Sequence, residues 1–167
     1  MKRFTNVLTL AVLGFLIAGF LGGCLDSSAK PDLVVVAFEI KGPFTFDAED
    51  RAVVPVQVVL KNQGAVAAGI FKTAIMYTDN GVKHVVSFTV PEESQPRYPY
   101  SREPLQPGEE MVFNGAVVFE PSQQGMMVSL HAVADSCDEE EHLPAYCRIE
   151  ESNENNNESD PVSVTLP

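Results

Sequence analysis

The feature that most constrains the fold is an alternation of apolar and other residues between positions 54 and 77, with one break. In the first part the apolar side chains stand at every second position, at Val54, Val56, Val58 and Leu60. The turn-forming tripeptide Asn62-Gln63-Gly64 interrupts this pattern. The alternation then resumes at Phe71, Thr73, Ile75 and Tyr77. A period of two is that of a strand with one buried face, so we expect two neighbouring core strands of a β-sandwich.

Other segments of the chain predict five more strands and no helix of any length. They are Asp32–Ile40, Val82–Val90, Met111–Phe119, Met126–Ala134 and a final strand over 162–166. Asp79-Asn80-Gly81 predicts a tight hairpin turn, because Asn and Gly adopt positive φ at low cost. Residues 32–167 are therefore expected to form an all-β domain, a single immunoglobulin-like antiparallel β-sandwich of about seven strands. A jelly roll or a small barrel is the structural alternative.

The first 23 residues have the pattern of a secretory signal peptide. Lys2 and Arg3 precede an apolar stretch over 7–20, and Leu21-Gly22-Gly23-Cys24 follows it. The last four residues resemble the lipobox of prokaryotic lipoproteins. That resemblance implies cleavage after residue 23, lipid on Cys24 and a short tether through residue 31. The alternative is an uncleaved anchor with an ordinary cysteine, and either form places the domain outside the cytoplasmic membrane.

The net charge of the chain indicates which classes of binding partner to expect. The chain carries a formal charge of −12 at pH 7. A protein that binds nucleic acid through its phosphates needs a basic face, so nucleic acid is not an expected partner. An acidic surface suits solubility and the binding of cations.

Four short motifs, in order, resemble the CARDB domain, an immunoglobulin-like module named for bacterial cell-adhesion-related proteins. They are Pro31-Asp32-Leu33; the stretch from Val58 through Asn62-Gln63-Gly64 to Phe71; Leu105-x-Pro107-Gly108; and Ala134-Asp135 with Glu151-Ser-Asn153-Glu154-Asn-Asn156-Asn157. The resemblance covers nearly all of residues 31–167. It implies extracellular binding or spacing without catalysis, and it names no ligand.

Two cysteines remain after Cys24, and they lie in one polar loop. In an oxidising compartment, a disulfide between Cys137 and Cys147 is the simple interpretation. A copper or zinc site formed by these cysteines and His142 is the alternative.

Residues with carboxylate or amide side chains lie on both sides of Cys147 in the sequence. Its carboxylates and amides predict a tentative Ca²⁺ site formed by Asp135, Glu151, Asn153, Glu154 and Asn156. The alternative is structural. Asn-rich turns would lead into the last strand, with Glu151 or Glu154 folded back onto nearby backbone amides.

The loop before position 105 is the second candidate site. Tyr and Arg are common at binding hot spots, and this loop carries both in a proline frame, as Arg97, Tyr98, Tyr100 and Arg102. The sequence contains no recognisable catalytic motif.

We therefore expect a membrane-anchored extracytoplasmic module that binds an envelope protein or glycan, without catalysis and without a cofactor. The alternative function is a cation-binding envelope lipoprotein, for Ca²⁺ or copper. The anchor would lie in the cell membrane or the outer envelope.

Overall fold

The computed structural model describes residues 29–90, 101, 103–137 and 147–167. These residues form eight strands and one 3-10 turn at Pro121–Gln123. The strands are β1 (Leu33–Ile40), β2 (Thr45–Phe46), β3 (Ala52–Asn62), β4 (Thr73–Asp79), β5 (Val82–Thr89), β6 (Glu110–Phe119), β7 (Met127–Ala134) and β8 (Val162–Thr165). The all-β prediction is confirmed. Seven strands match the predicted segments, and the two-residue strand β2 is an addition that the sequence did not predict.

All the strand pairs are antiparallel, and the order across the sheet is β1-β3-β6-β5-β4-β7-β8, with β2 added to β3. Strand β5 joins the two layers. Its residues Val82–Val86 pair with β4, whereas Ser87–Thr89 pair with β6. The sheet therefore turns a corner along β5 and nearly closes on itself. Among the described residues, β1 and β2 form one edge of the sheet and β8 forms the other.

The prediction that the strands on either side of Asn62-Gln63-Gly64 are neighbours was wrong. Strands β3 and β4 are separated by β6 and β5 in the sheet order. The connection between them runs past Ala68, whose backbone pairs with Leu105. The period of an alternation shows which face of a strand is buried, but it carries no information about which strand lies beside it.

The core lies between the inward faces of these strands. Strand β3 follows the predicted alternation without a fault, since every second residue from Ala52 to Asn62 is buried. The largest fully buried side chains include Phe71, Phe88 and Phe119. On β7 every second residue is likewise buried, at Val128, Leu130, Ala132 and Ala134.

The hairpin between β4 and β5 has the predicted turn. Asn80 and Gly81 have φ angles of 47° and 81°, as a two-residue turn between twisted antiparallel strands requires. Strand β4 begins beside the last residue of β7, at the end of the sandwich where Asn62 lies, and it ends at the hairpin. The hairpin turn therefore lies at the opposite end from Asn62.

Candidate functional site

Asn62, the last residue of β3, holds together one end of the sandwich. Its side chain is fully buried and donates Nδ2 to the carbonyl oxygens of Val66 and Leu105, both at 2.8 Å. Its Oδ1 accepts from the amides of Asp32 at 3.2 Å and Gly64 at 3.0 Å. Three of the four sequence motifs therefore meet at this one amide group.

Gly64 lies at the same end of the sandwich, at a position where no larger residue fits. A Cβ atom at this position would lie 2.5 Å from the nitrogen of Asp32 and 2.5 Å from the carbonyl carbon of Pro31. Real Cβ atoms do not approach backbone this closely, so only glycine lets the two segments pass each other.

Glu151 ties the fourth motif to the start of β1. Its Oε2 accepts a short hydrogen bond from the amide of Leu33, and its Oε1 accepts one from Nδ2 of Asn157 at 2.8 Å. The residue is only 4% exposed, and this burial raises the pKa of its carboxyl group to about 7. The nearby carboxylates of Glu154 and Asp135 push this pKa in the same direction.

Asp135, which follows β7, also joins two segments of the chain through its carboxylate. Its carboxylate accepts hydrogen bonds from the amides of Arg148 at 3.0 Å and Ile149 at 2.8 Å. Burial raises the pKa of this carboxyl group, while the two amide donors oppose the shift. The contacts fix the residues that follow Cys147 against the end of β7.

The disulfide between Cys137 and Cys147 is confirmed, with 5.2 Å between the Cα atoms. Metal sites use free thiolates, so this bond leaves the alternative copper or zinc site without its two sulfur ligands. Together with Asp135, the bond ties both ends of the intervening loop to β7.

The other predicted calcium ligands also bond within the protein. Glu154 accepts the amide of Glu151 at 2.7 Å, and Asn153 accepts the amide of Asn155 at 3.1 Å. Asn156 donates to Asp32 Oδ1 at 2.8 Å. These contacts match the structural alternative, in which acids fold back onto amides.

The tentative calcium site stays a prediction. Among the residues that the structure describes, no group of three or more His, Cys, Asp or Glu side chains is placed to hold a metal ion. The five predicted ligands lie at one end of the domain. Oxygens of Asp135, Glu151, Asn153 and Glu154 already accept hydrogen bonds from amides, whereas among the described residues Asn156 Oδ1 is buried and has no hydrogen-bond partner.

An open cleft of about 460 Å³ lies on the outer surface of β4 and β7 beside the disulfide. Its lining is part apolar, from Met76, Val133 and the disulfide, and part polar. The polar lining residues are Asp135, Ser136, Glu154, Asn155, Asn157 and Glu158.

Two of the polar groups in the cleft have unused hydrogen-bonding capacity. Within the described part of the chain, Ser136 Oγ and Asn157 Oδ1 are buried and have no hydrogen-bond partner. Ser136 as a whole is only 2% exposed. Buried polar atoms normally have hydrogen-bond partners, so this pair makes the cleft the candidate binding site of the domain.

Sequence reasoning missed part of this cleft. Met76, Val133 and Ser136 were not among the predicted site residues. Ser136 stands between two residues that were, Asp135 and Cys137, so its position was the available signal. Nothing in the sequence marks Met76 and Val133 as site residues, because only the fold brings the outer faces of β4 and β7 to the disulfide.

Several predicted sites lie outside the described residues. They are the lipidated Cys24, the binding loop residues Arg97, Tyr98, Tyr100 and Arg102, and His142. In the described part of the chain, no helix has both the length and the apolar character needed to cross a membrane.

Comparison with known proteins gives structural similarities only. No protein-family model matches the chain, and no curated protein matches it. The structure is similar to the CARDB domain of the PF1109 protein from Pyrococcus furiosus, solved in complex with di-metal ions. The two share 27% identity over 83% of this chain and 97% of that one, with a TM-score of 0.43.

Two other solved structures are similar at lower identity. One is the ycdA protein of Bacillus subtilis, provisionally described as a lipoprotein, with 14% identity over 83% of this chain and 37% of that one (TM-score 0.38). The other is a protein provisionally named ApaA from Bordetella pertussis, with 15% identity over 83% and 97% (TM-score 0.36). A CARDB domain, the family that the four sequence motifs resemble, is thus among the structures to which this chain is similar. The fold itself rests on the strand order above.

Proposed function

We propose that this protein is a non-catalytic binding module that recognises a protein or glycan at the cell envelope. The observation that carries the proposal is the cleft beside the disulfide, where two buried polar atoms have no hydrogen-bond partner among the described residues. Binding sites are typically concave, preformed and lined by apolar surface with a few placed polar groups. The cleft has each of these properties.

The hydrogen bonds of the acids support binding over catalysis. Asp135, Glu151 and Glu154 each accept a hydrogen bond from a backbone amide. A general acid or base must reach a proton on the substrate. Carboxylates that hold backbone amides serve the structure of this end instead.

We further propose that Cys24 anchors the domain on the extracytoplasmic side of the cell membrane or outer envelope. The chain enters the domain at the end that carries the cleft, because the amide of Ser152 donates to the carbonyl of Pro31 at 2.9 Å. The six residues 26–31 span about 20 Å when extended. The cleft would thus lie near the membrane surface, within reach of another envelope component.

Site-specific photocrosslinking in cells tests this proposal. The full-length protein would carry a photoreactive phenylalanine analogue at Asn155, which is exposed in the cleft, or at Val82, which is 55% exposed at the opposite end. We expect a recurrent crosslinked species from position 155 and none from position 82. If neither position nor a third probe at Tyr98 captures anything, the binding function is wrong.

The proline-framed loop is a second proposed contact. Arg97, Tyr98, Tyr100 and Arg102 combine aromatic surface with positive charge on an otherwise acidic chain. Replacement of Tyr98 and Tyr100 by Ala should weaken partner capture if this loop contributes. Unchanged capture would confine recognition to the cleft.

The alternative function is cation binding, as an accessory lipoprotein for Ca²⁺ or copper. The convergence of Asp135 and Glu154 on Glu151 favours it, because both carboxylates raise the pKa of Glu151 and a nearby cation would offset their repulsion. Thermal unfolding with millimolar Ca²⁺, with Cu²⁺ and with chelator tests this alternative. A melting temperature that none of these additions changes would remove it.

A further inference from the structure

We propose that the cleft beside the disulfide receives the guanidinium group of an arginine side chain from a partner protein. This inference rests on the proposed binding function and adds the chemistry of the group that is recognised. It comes from the arrangement of three kinds of surface around one opening: an apolar floor, a carboxylate at the rim, and buried polar atoms without partners.

The apolar part of the cleft suits the stem of a long basic side chain. Met76 and Val133 project from adjacent strands, and the disulfide of Cys137 and Cys147 closes one side. Arginine buries its methylene groups along such surface while its charged head stays among polar groups. A volume of about 460 Å³ holds one such side chain and part of its backbone.

The polar part supplies acceptors from separate segments of the chain. Ser136 follows β7, whereas Glu154 and Asn157 come from the stretch before β8. Arginine presents five N–H donors in a planar fork and can serve several acceptors at once. A smaller ammonium group would reach fewer of them.

The unpartnered atoms are the evidence that something binds there. Ser136 is 2% exposed, and in the described residues its Oγ has no hydrogen-bond partner. Asn157 uses its Nδ2 on Glu151, while its Oδ1 is buried without a partner. Each oxygen keeps a lone pair for an N–H donor, and each lowers the stability of the folded protein while it remains unpaired.

The charges nearby identify the carboxylate that matters. Glu158 also lines the cleft, but both of its oxygens pair with Nζ of Lys83, at 2.6 and 2.9 Å. Asp135 is occupied by the amides of Arg148 and Ile149. Glu154 uses Oε1 on the amide of Glu151, so it is the rim carboxylate on which the proposal depends. The formal charge of −12 favours the approach of a cation in general.

NMR of the methionine methyl groups tests the inference on the full-length protein in detergent. Met76 lines the cleft, and Met111 lines a smaller cleft of about 310 Å³ beside Glu109, so the second signal is an internal control. The probe is N-acetyl-arginine methylamide. The matched neutral probe is its citrulline analogue, which has nearly the same shape without the charge.

We expect the arginine probe to shift the Met76 signal saturably while the Met111 signal stays in place. The citrulline analogue should bind at least tenfold more weakly, since hydrogen bonds to a charged donor are about twice as strong as neutral ones. Glu154→Gln keeps an oxygen for the amide of Glu151 and removes the charge, so it should weaken binding about tenfold. Glu109→Gln removes the same charge beside Met111 and should leave binding unchanged.

Ser136→Ala separates a binding role from a structural one. Because its Oγ is buried without a partner, its removal should leave the stability unchanged or higher while it weakens binding about threefold. A Met76 signal that does not move, or that moves equally with citrulline, would overturn the inference. So would equal effects of Glu154→Gln and Glu109→Gln. If position 155 captures a partner in the crosslinking experiment but the arginine probe does not shift the Met76 NMR signal, the proposed function stands and arginine is rejected as its ligand.

Discussion

The two ends of the sandwich are built by different kinds of contact. The tether end comprises Pro31–Leu33, Asn62–Gly64, Leu105–Glu109, Asp135–Cys137 and Cys147–Asn157. The hairpin end comprises Asp47–Arg51, Asp79–Gly81 and Pro121–Gly125. At the tether end, buried side chains join segments far apart in sequence, as Glu151 does with Leu33. At the hairpin end, neighbours in sequence close their own turns, as Asp47 does by accepting the amides of Glu49 and Arg51. Long-range bonds from Gln123 to Tyr77 and from Gln124 to Asp50 occur there too, but they are half-buried or exposed.

Burial of polar groups follows the same division. The buried polar or charged residues of the described chain are Asn62, Lys72, Thr73, Ser101, His131, Asp135, Ser136 and Glu151. All of them except His131 lie at or beside the tether end. Buried polar groups need exact partners, so this end is specified by long-range contacts and is sensitive to single changes. The hairpin end depends on turn residues and should tolerate more.

The largest expected effect is that of Asn62→Ala. The change would remove four hydrogen bonds in a fully buried site, two to carbonyl oxygens and two from amides. Of the two carbonyls, that of Leu105 would keep its bond from the amide of Ala68. We expect a loss of about 4 kcal/mol in the free energy of unfolding. Urea denaturation measures it. The matched control is Asn114→Ala, which removes one exposed bond to Gln57 and should cost less than about 1 kcal/mol.

The next effect compares glycines at the two ends. Gly64→Ala would force a Cβ against the backbone of Pro31 and Asp32 and should cost about 3 kcal/mol. Gly81→Ala meets nothing within 4 Å but has a φ of 81°, so it should cost only about 1 kcal/mol. Equal losses in urea denaturation would show that steric contact does not distinguish the two ends.

Removal of the disulfide tests how far the tether end depends on covalent closure. The bond joins residues ten positions apart, so a Cys137→Ala, Cys147→Ala double variant should lose about 3 kcal/mol. Thermal unfolding with and without reductant checks this. Reductant should lower the melting temperature of the native protein and leave that of the double variant unchanged.

The smallest expected effect is the pH dependence contributed by Glu151. Its pKa in the folded state is about 7, against an ordinary value of 4.5, so the folded protein binds its proton more tightly than the unfolded chain. This contribution is therefore fully present below pH 4.5 and is lost as the pH rises through 7. Between about pH 5 and about pH 7.5 the loss should be about 2 kcal/mol.

Urea denaturation across this pH range measures the dependence. Glu151→Gln should flatten it and leave a smaller slope in the same direction from Asp135, whose pKa is also raised by burial. A native protein whose stability rises with pH over this interval would contradict the assignment.

The sequence predicted the parts of this molecule that depend on local pattern. Apolar alternation located β3 and β4 and their buried faces, because a strand places every second side chain on one face. The other five strands were located as apolar segments bounded by turn residues. Asn80-Gly81 predicted the hairpin, because Asn and Gly adopt positive φ at low cost whatever the rest of the fold. The proximity of the two cysteines in one loop predicted their bond.

Only the tertiary structure decided which strands are neighbours and where the polar groups meet. Nothing in the alternation of β3 and β4 indicates that β5 and β6 lie between them. The four motifs are short and far apart in sequence, and they become one site only because Asn62 and Glu151 bridge them with buried hydrogen bonds. The cleft arises in the same way, since the outer faces of β4 and β7 meet the disulfide only after the chain has folded. Local pattern follows from the backbone geometry of each residue, whereas long-range pairing depends on which groups can be buried together with all their partners.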